Sequence, residues 1–195
     1  MMIRATRNSW LVALALAATL PLGGCGVVVG GGAVVGLAAA EERGIEGAAR
    51  DTRISAGIFQ SLFEKNNVYL TKVGVEVYEG KVLLTGVLED RAMHVEAVRL
   101  AWATDGVLDV YDEIRESSEG VNFAYDTWIT AQLKYKLTAD KTVYSINYSI
   151  ETVGGTIYLL GVALSQAELD RVIAHARSIS YVTRVVSHVR VKAAP

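Results

Sequence analysis

Few residues in this chain have the types and the spacing that could support chemistry. The only cysteine is Cys25, and the three histidines, His94, His175 and His188, stand far from it and from one another. No pair of them has the spacing of zinc ligands, no GxSxG nucleophile motif occurs, and the glycines of residues 30–36 lack the lysine of a phosphate-binding loop. We therefore predict no catalytic residues, no metal site and no cofactor, and we interpret the chain as a non-enzyme.

The surroundings of Cys25 suggest a different kind of chemistry. Residues 1–24 run from two arginines through an apolar stretch to Leu22-Gly23-Gly24, the layout of a secretory signal. The sequence Leu22 to Cys25 resembles a bacterial lipobox, which implies that Cys25 is lipidated, for example with palmitate, and becomes the mature N-terminus. The following residue is Gly26 rather than aspartate, which in such proteins implies sorting to the outer membrane, on its periplasmic face.

An uncleaved membrane anchor is the alternative for this end of the chain. No charged residue occurs between Asn8 and Ala40, a run longer than the ~20 residues that a transmembrane helix needs. Pro21 and the many glycines disfavour one continuous helix, so we prefer the lipoprotein interpretation and leave the anchor open. Residues 25–50 are then the lipidated N-terminus and an apolar tether.

The rest of the chain is a duplication at a constant offset of 75 residues. The segment EGKVLLTG, from Glu79, recurs as GGTIYLLG from Gly154, and DTRI at Asp51 recurs as DTWI at Asp126. The register holds without a gap, which predicts two copies of one folded unit. Because each copy is close to the lower size limit for independent folding, we expect the two copies to pack on each other.

Each copy has the pattern helix, strand, strand, helix, strand. Ile54, Ile58 and Leu62 recur every four residues and predict a helix, for which Asp51 and Asp126 are the expected N-caps in the two copies. Alternating valines from Val73 predict a hairpin that turns at Glu79-Gly80. The second helices should begin at Asp90 and at the capping box Ser165–Glu168. The last strands are predicted at residues 107–114 and 182–191, which gives an α+β unit with two helices on one face of a three-stranded mixed sheet.

This pattern resembles the BON domain. The resemblance rests on the hairpin glycines, Gly80, Gly86, Gly155 and Gly161, and on a Gly-Val step before the last strand, present as Gly106-Val107. Tyr181-Val182 departs from that step in the second copy. We assign residues 51–119 and 125–193 to two tandem BON domains of αββαβ order. The lipobox and the tandem copies together resemble dual-BON outer-membrane lipoproteins, which implies phospholipid binding and a role in envelope integrity.

The two copies differ in charge. Residues 51–120 contain seven Lys/Arg against 13 Asp/Glu, a net charge of −6, whereas residues 121–195 contain eight against five, a net charge of +3. A nucleic-acid partner is not expected, because it would need a clustered basic face and a high domain pI. An anionic membrane surface attracts smaller amounts of positive charge.

The first helix of the second copy has gained aromatic side chains. Trp128, Gln132 and Tyr135 replace Arg53, Gly57 and Gln60, on a stripe about 140° around the helix from the core-facing side chains. Tryptophan and tyrosine favour the membrane–water interface. With the neighbouring residues Leu133, Lys134 and Lys136, this stripe is the predicted site for anionic phospholipid.

Two alternatives stay open for the aromatic stripe. Trp128 and Tyr135 could pack against the first copy as part of an interface between the domains. The stripe could also be a hot-spot patch for an envelope protein partner, which would make the chain a protein-interaction module.

Overall fold

The computed structural model describes residues 40–193. The predicted signal peptide, Cys25 and most of the tether lie outside these residues. Among the described residues, no helix combines the length and the apolar character needed to cross a bilayer.

The described chain forms two repeats with the same order of elements. In the first repeat these are α1 (Gly44–Lys65), α2 (Tyr69–Lys72), β1 (Val73–Tyr78), β2 (Lys81–Val87), α3 (Arg91–Trp102) and β3 (Asp109–Arg115). The second repeat contains α4 (Phe123–Ala139), a short 3₁₀ turn (Ser145–Asn147), β4 (Tyr148–Val153), β5 (Thr156–Ala163), α5 (Gln166–Arg177) and β6 (Arg184–Val191). The short turn before each hairpin is absent from the sequence prediction.

Each repeat has a mixed three-stranded sheet, as predicted. Strand order is β1-β2-β3 and β4-β5-β6, with the hairpin strands antiparallel and the last strand parallel to the middle one. Val73 pairs with Gly86, and Tyr148 pairs with Gly161, so the offset of 75 residues is preserved in the register of the hairpins. Two α-helices cover one face of each sheet, and their apolar side chains complete a separate core in each repeat. The α+β fold class is therefore confirmed.

Asp51 and Asp126 are not N-caps, which corrects the predicted helix starts. Helix α1 begins seven residues earlier, at Gly44, and α4 begins at Phe123 after the N-cap Asn122. Both aspartates are buried inside their helices and accept hydrogen bonds from the hairpin turn. Asp51 accepts from the amides of Glu79 and Gly80 at 2.8 Å. Asp126 accepts from Gly154 and Gly155 at 2.8 and 2.9 Å. A carboxylate that satisfies two amides fastens each first helix to its hairpin.

The second helices begin close to the predicted positions. The Asp90 side chain accepts from the amides of Ala92 and Met93, as an N-cap does. Ser165 accepts from the amide of Glu168, but the Glu168 carboxylate reaches the amides of Leu164 and Tyr144 rather than that of Ser165. It therefore links the start of α5 to the segment after α4, which a local capping box would not do. The last strands begin two residues later than predicted.

The two sheets pack on each other through the faces that the helices leave uncovered. Tyr78 and Leu83 from the first sheet meet Tyr158, Leu160 and Val162 from the second in an apolar cluster. At the edge of this interface, the His188 Nε2 atom lies 2.8 Å from a carboxylate oxygen of Glu113, and the His188 ring stacks on Tyr111 with ring centroids 4.1 Å apart. The expectation that the two copies pack together is confirmed. Residues 54–191 contain all three apolar clusters.

Candidate functional site

Helix α4 carries the predicted site residues on three different sides. Its buried side is formed by Ile129, Leu133 and Leu137, which pack into the second core. Asn122 holds the start of the helix by accepting hydrogen bonds from Ala124 and Tyr125 at 3.1 and 3.2 Å. The side chains of the remaining sides are available either to solvent or to the neighbouring strands.

Three aromatic rings form an exposed cluster beside the first half of α4. The Tyr181 ring stacks on Tyr125 with centroids 4.9 Å apart and meets the edge of Trp128 at 6.2 Å. All three rings remain substantially exposed, Trp128 at 42% and Tyr181 at 64%. We call Tyr125, Trp128 and Tyr181 the aromatic cluster. Because the rings pack on one another yet stay open to solvent, they form an exposed aromatic patch rather than part of a core.

Tyr181 reaches this cluster through an unfavourable backbone conformation. Its φ is +68°, in the left-handed region, where Gly106 lies in the first repeat with φ of +89°. A non-glycine residue in that region costs roughly 1–2 kcal/mol. The turn is held by the bond from the Thr183 amide to the Gly155 carbonyl at 2.9 Å. The departure from the Gly-Val step at Tyr181-Val182 is therefore the sequence signal for a candidate site residue, Tyr181, which was not among the predicted site residues.

The predicted site residues divide into exposed positions and positions buried in the core. Tyr135 is 72% exposed and extends the aromatic stripe by two helical turns beyond Trp128. Gln132 is half-buried between them. Leu133 is fully buried in the second core, so its assignment to the binding surface is wrong. The reason is helical geometry, since a residue one position from Gln132 is turned by about 100° toward the sheet.

The two lysines lie on opposite flanks of α4. Lys134 is rotated about 120° from Trp128 and lies near the carboxylates of Glu76 and Glu151, on the edge strands of the two sheets. Burial is the main factor that raises the pKa of both carboxylates, and the charge of Lys134 opposes that rise. Lys134 is therefore on the side of α4 that faces these carboxylates, with its own side chain exposed, whereas the half-buried Lys136 lies on the Gln132 side of the helix.

The aromatic cluster is separate from the interface between the repeats. That interface is formed by the sheets. The ring that contacts Trp128 and Tyr125 is that of Tyr181, which belongs to the same repeat. Neither Trp128 nor Tyr135 belongs to the apolar cluster that joins the repeats, so that cluster does not support the alternative in which they pack against the first copy. The sheets take that role because their outer faces carry Leu83, Leu160 and other apolar side chains.

Each histidine is paired with carboxylates rather than with further nitrogen or sulfur ligands. His94 lies 2.8 Å from Asp112, and His175 lies 2.8 Å from Asp140. The contact with His175 is the largest of the effects that hold the pKa of Asp140 below its usual value. Within residues 40–193, no group of three or more His, Cys, Asp or Glu side chains has the arrangement of a metal site.

Two αββαβ units packed through their sheets, with an exposed aromatic patch on one of them, define a tandem-repeat protein with a candidate binding surface. The model of the BON domain matches residues 50–117 and 125–193. The chain belongs to the BON-domain family.

Three curated proteins show the range of similarity. An uncharacterized protein from the gshII 5' region of Anaplasma centrale is 38% identical over 145 residues, covering 73% of this chain and 95% of its own. The osmotically-inducible protein Y of Escherichia coli is 33% identical, covering 73% of each chain. The outer membrane lipoprotein DolP of Haemophilus influenzae is 29% identical, covering 90% of this chain and 92% of its own.

Proposed function

We propose that this chain is an outer-membrane lipoprotein on the periplasmic face that binds anionic phospholipid through its second BON domain and supports envelope integrity. In this proposal residues 1–24 are the signal peptide, 25–50 the lipidated start and tether, and 51–119 and 125–193 the two domains. It binds and does not turn over a substrate. The observation that carries the proposal is the exposed aromatic cluster, which includes a tyrosine in a strained backbone conformation.

The chemistry of the cluster fits the headgroup region of a bilayer. Tyrosine and tryptophan combine an apolar ring with a polar tip and favour this region. Trp128, Tyr125 and Tyr135 lie along one side of a single helix, so they can enter the interface together while Leu133 and Leu137 hold that helix on the core. The net charge of +3 on residues 121–195 adds attraction to anionic lipid.

Likeness to named relatives supports the cellular setting. DolP of Haemophilus influenzae is named an outer membrane lipoprotein, and its similarity extends over 90% of this chain. A single acyl chain gives only marginal membrane attachment, and further acyl chains or a second contact make it stable. In the proposed mechanism, acyl chains at Cys25 hold the protein at one leaflet, and the aromatic cluster adds preference for membranes of particular composition.

A protein-interaction module is the second candidate function. The same stacked rings have the composition of an interface hot spot, in which tryptophan and tyrosine predominate. A partner would be recognised by capture in the absence of lipid.

Vesicle flotation separates these functions. A protein beginning at Ala40 retains all three apolar clusters and can be floated with anionic or neutral liposomes. We expect binding to anionic vesicles by the wild type and at least tenfold weaker binding by Trp128→Glu. Trp102→Glu is the matched control, because Trp102 is a 50% exposed tryptophan on helix α3 of the first repeat. Wild-type protein that does not bind anionic vesicles would rule out direct lipid recognition, and full binding by Trp128→Glu would rule out the site.

Metabolic labelling with palmitate tests the anchor separately. We expect label in the full-length wild type and none in Cys25→Ser. Absence of label in the wild type, or persistence of label in Cys25→Ser, would refute lipidation at this residue.

A further inference from the structure

The first repeat contains an open cleft at the position where the second repeat has its aromatic cluster. The cleft has a volume of about 600 Å³ and lies between helix α1 and the turn that precedes β3. Its lining includes Arg50, Arg53, Ile54, Gly57, Gln60 and Gly106. This volume is within the range of about 300–1,000 Å³ typical of ligand sites.

The offset of 75 residues relates this cleft directly to the cluster. Arg50, Arg53 and Gly106 correspond to Tyr125, Trp128 and Tyr181. In the second repeat the Tyr181 ring covers this region and stacks on its neighbours. In the first repeat glycine supplies no ring, so the equivalent space is open.

Close backbone approach shapes the cleft. A Cβ atom at Gly57 would lie 3.1 Å from the Thr104 methyl group, and one at Gly106 would lie 3.2 Å from Ile54. Helix and turn therefore meet with little side-chain bulk between them, and the Ile54 side chain is buried beneath the turn as part of the first core. A flat ring from outside can occupy the place that Tyr181 occupies in the second repeat.

Two guanidinium groups, those of Arg50 and Arg53, lie in the lining of the cleft. Among the described residues, neither Arg50 nor Arg53 forms an ion pair, whereas Lys65, Arg91 and Arg99 of the same repeat do. Guanidinium groups bind carboxylates and also stack on aromatic faces. The lining includes two acids, Glu64 and Asp105. Glu64 is about 16 Å along the helix from Arg53, so the helix side of the cleft is positive at one end and negative at the other.

We infer that this cleft is a docking site for a protein segment that presents an aromatic side chain beside acidic residues. The aromatic ring takes the place of the missing counterpart of Tyr181, and the acidic residues meet Arg50 and Arg53. The site is therefore distinct from the lipid surface of the second repeat, and it does not depend on the proposed function.

Nuclear magnetic resonance titration of the protein beginning at Ala40 tests this inference. The probe is the blocked peptide acetyl-Glu-Glu-Tyr-Ala-amide, compared with acetyl-Lys-Lys-Tyr-Ala-amide and acetyl-Glu-Glu-Ala-Ala-amide. We expect saturable shifts of the Gly57 and Gly106 amides with the first peptide and at least tenfold weaker binding of the other two. Absence of these shifts, or equal binding of all three peptides, would overturn the inference.

Substitutions that refill or recharge the cleft provide the second test. We expect Gly106→Tyr to abolish peptide binding, because it restores the ring found in the second repeat, and a melting curve checks that it folds. Arg50→Glu and Arg53→Glu together should weaken binding at least tenfold. Lys72→Glu is the control for charge, since Lys72 is exposed on the same repeat and does not line the cleft. Unchanged binding in the double arginine variant would overturn the inference.

Vesicle flotation of the same variants separates the two sites. We expect the double arginine variant to float as the wild type does, and Trp128→Glu to bind peptide as the wild type does. A double arginine variant that loses vesicle binding, together with peptide binding that is absent in the wild type, would reassign the cleft to lipid. Loss of the proposed lipid function alone would leave the peptide result intact.

Discussion

The Tyr181 ring stacks on Tyr125 with centroids 4.9 Å apart, although Tyr181 has a φ of +68°. The strain of this backbone, roughly 1–2 kcal/mol, is of the same order as the ~0.5–1.5 kcal/mol that an aromatic pair contributes. The residue therefore gives the fold little net stability, and we attribute its presence to the surface that it creates.

Replacing Tyr181 with glycine should separate stability from binding. We expect Tyr181→Gly to change the free energy of unfolding by less than about 1 kcal/mol, because strain and stacking are lost together. Flotation with anionic vesicles should fall at least tenfold. Tyr181→Ala is the control, since it keeps the unfavourable φ without the ring. Its free energy of unfolding should be about 1 kcal/mol lower than that of Tyr181→Gly. Chemical denaturation measures both values, and a Tyr181→Gly protein that floats normally would remove this residue from the site.

Leu133 and Tyr135 should respond in opposite ways to substitution. Leu133 is fully buried, so Leu133→Ala should lower the free energy of unfolding by about 2–5 kcal/mol. Binding per folded molecule should be unchanged. Tyr135→Ser should alter stability by less than about 0.5 kcal/mol while weakening vesicle binding. Denaturation and flotation of both variants test whether Leu133 is a core residue and Tyr135 a binding residue. Folded Leu133→Ala protein that no longer binds vesicles would contradict this division.

The buried aspartates should stabilise each helix–hairpin junction strongly. Asp126→Ala leaves the amides of Gly154 and Gly155 without their carboxylate acceptor. Hydrogen bonds to charged groups contribute about 1.5–3 kcal/mol each, so we expect a loss of about 3 kcal/mol or more. Asp170→Ala, at an exposed position on α5, is the control and should lose less than about 0.5 kcal/mol. Equal losses for the two variants in urea denaturation would contradict this role of Asp126 at the helix–hairpin junction.

The carboxylates between the repeats should make stability depend on pH. Burial, and then the charge of Glu76, raise the pKa of Glu151 from 4.5 to about 7. The folded protein therefore binds more protons than the unfolded chain between these values. Its stability should fall as pH rises from about 4.5 through 7 and then level off.

Glu151→Gln tests this pH dependence. A shift of this size corresponds to at most about 3 kcal/mol, and Gln removes the cost of ionisation. We expect the variant to be more stable than the wild type at pH 8 and to show a smaller change between pH 5 and 8. Denaturant midpoints across this range measure the effect. Parallel curves for the two proteins would show that Glu151 does not titrate in this way.

Local patterns in the sequence predicted the repeated unit well. Alternation of valines placed the hairpin, and the recurrence of Ile54, Ile58 and Leu62 placed the core side of α1. Asp90 was recognised as an N-cap for the same reason, because a cap bonds to amides two or three residues away. In contrast, Asp51 and Asp126 bond to turns 28 and 29 residues away, and a local pattern does not distinguish these long-range acceptors from caps.

The sequence by itself determined that the chain is duplicated, which side chains form the two cores, and that Trp128 and Tyr135 lie outside them. These properties follow from side-chain periodicity along single helices and strands. Only the tertiary structure decided that the sheets form the interface, that Lys134 lies near Glu76 and Glu151, and that Tyr181 joins Trp128. Tyr181 is 53 residues away from Trp128 in the sequence, and its position depends on a left-handed turn held against a distant hairpin. Such contacts are set by how the elements pack, which no local periodicity encodes.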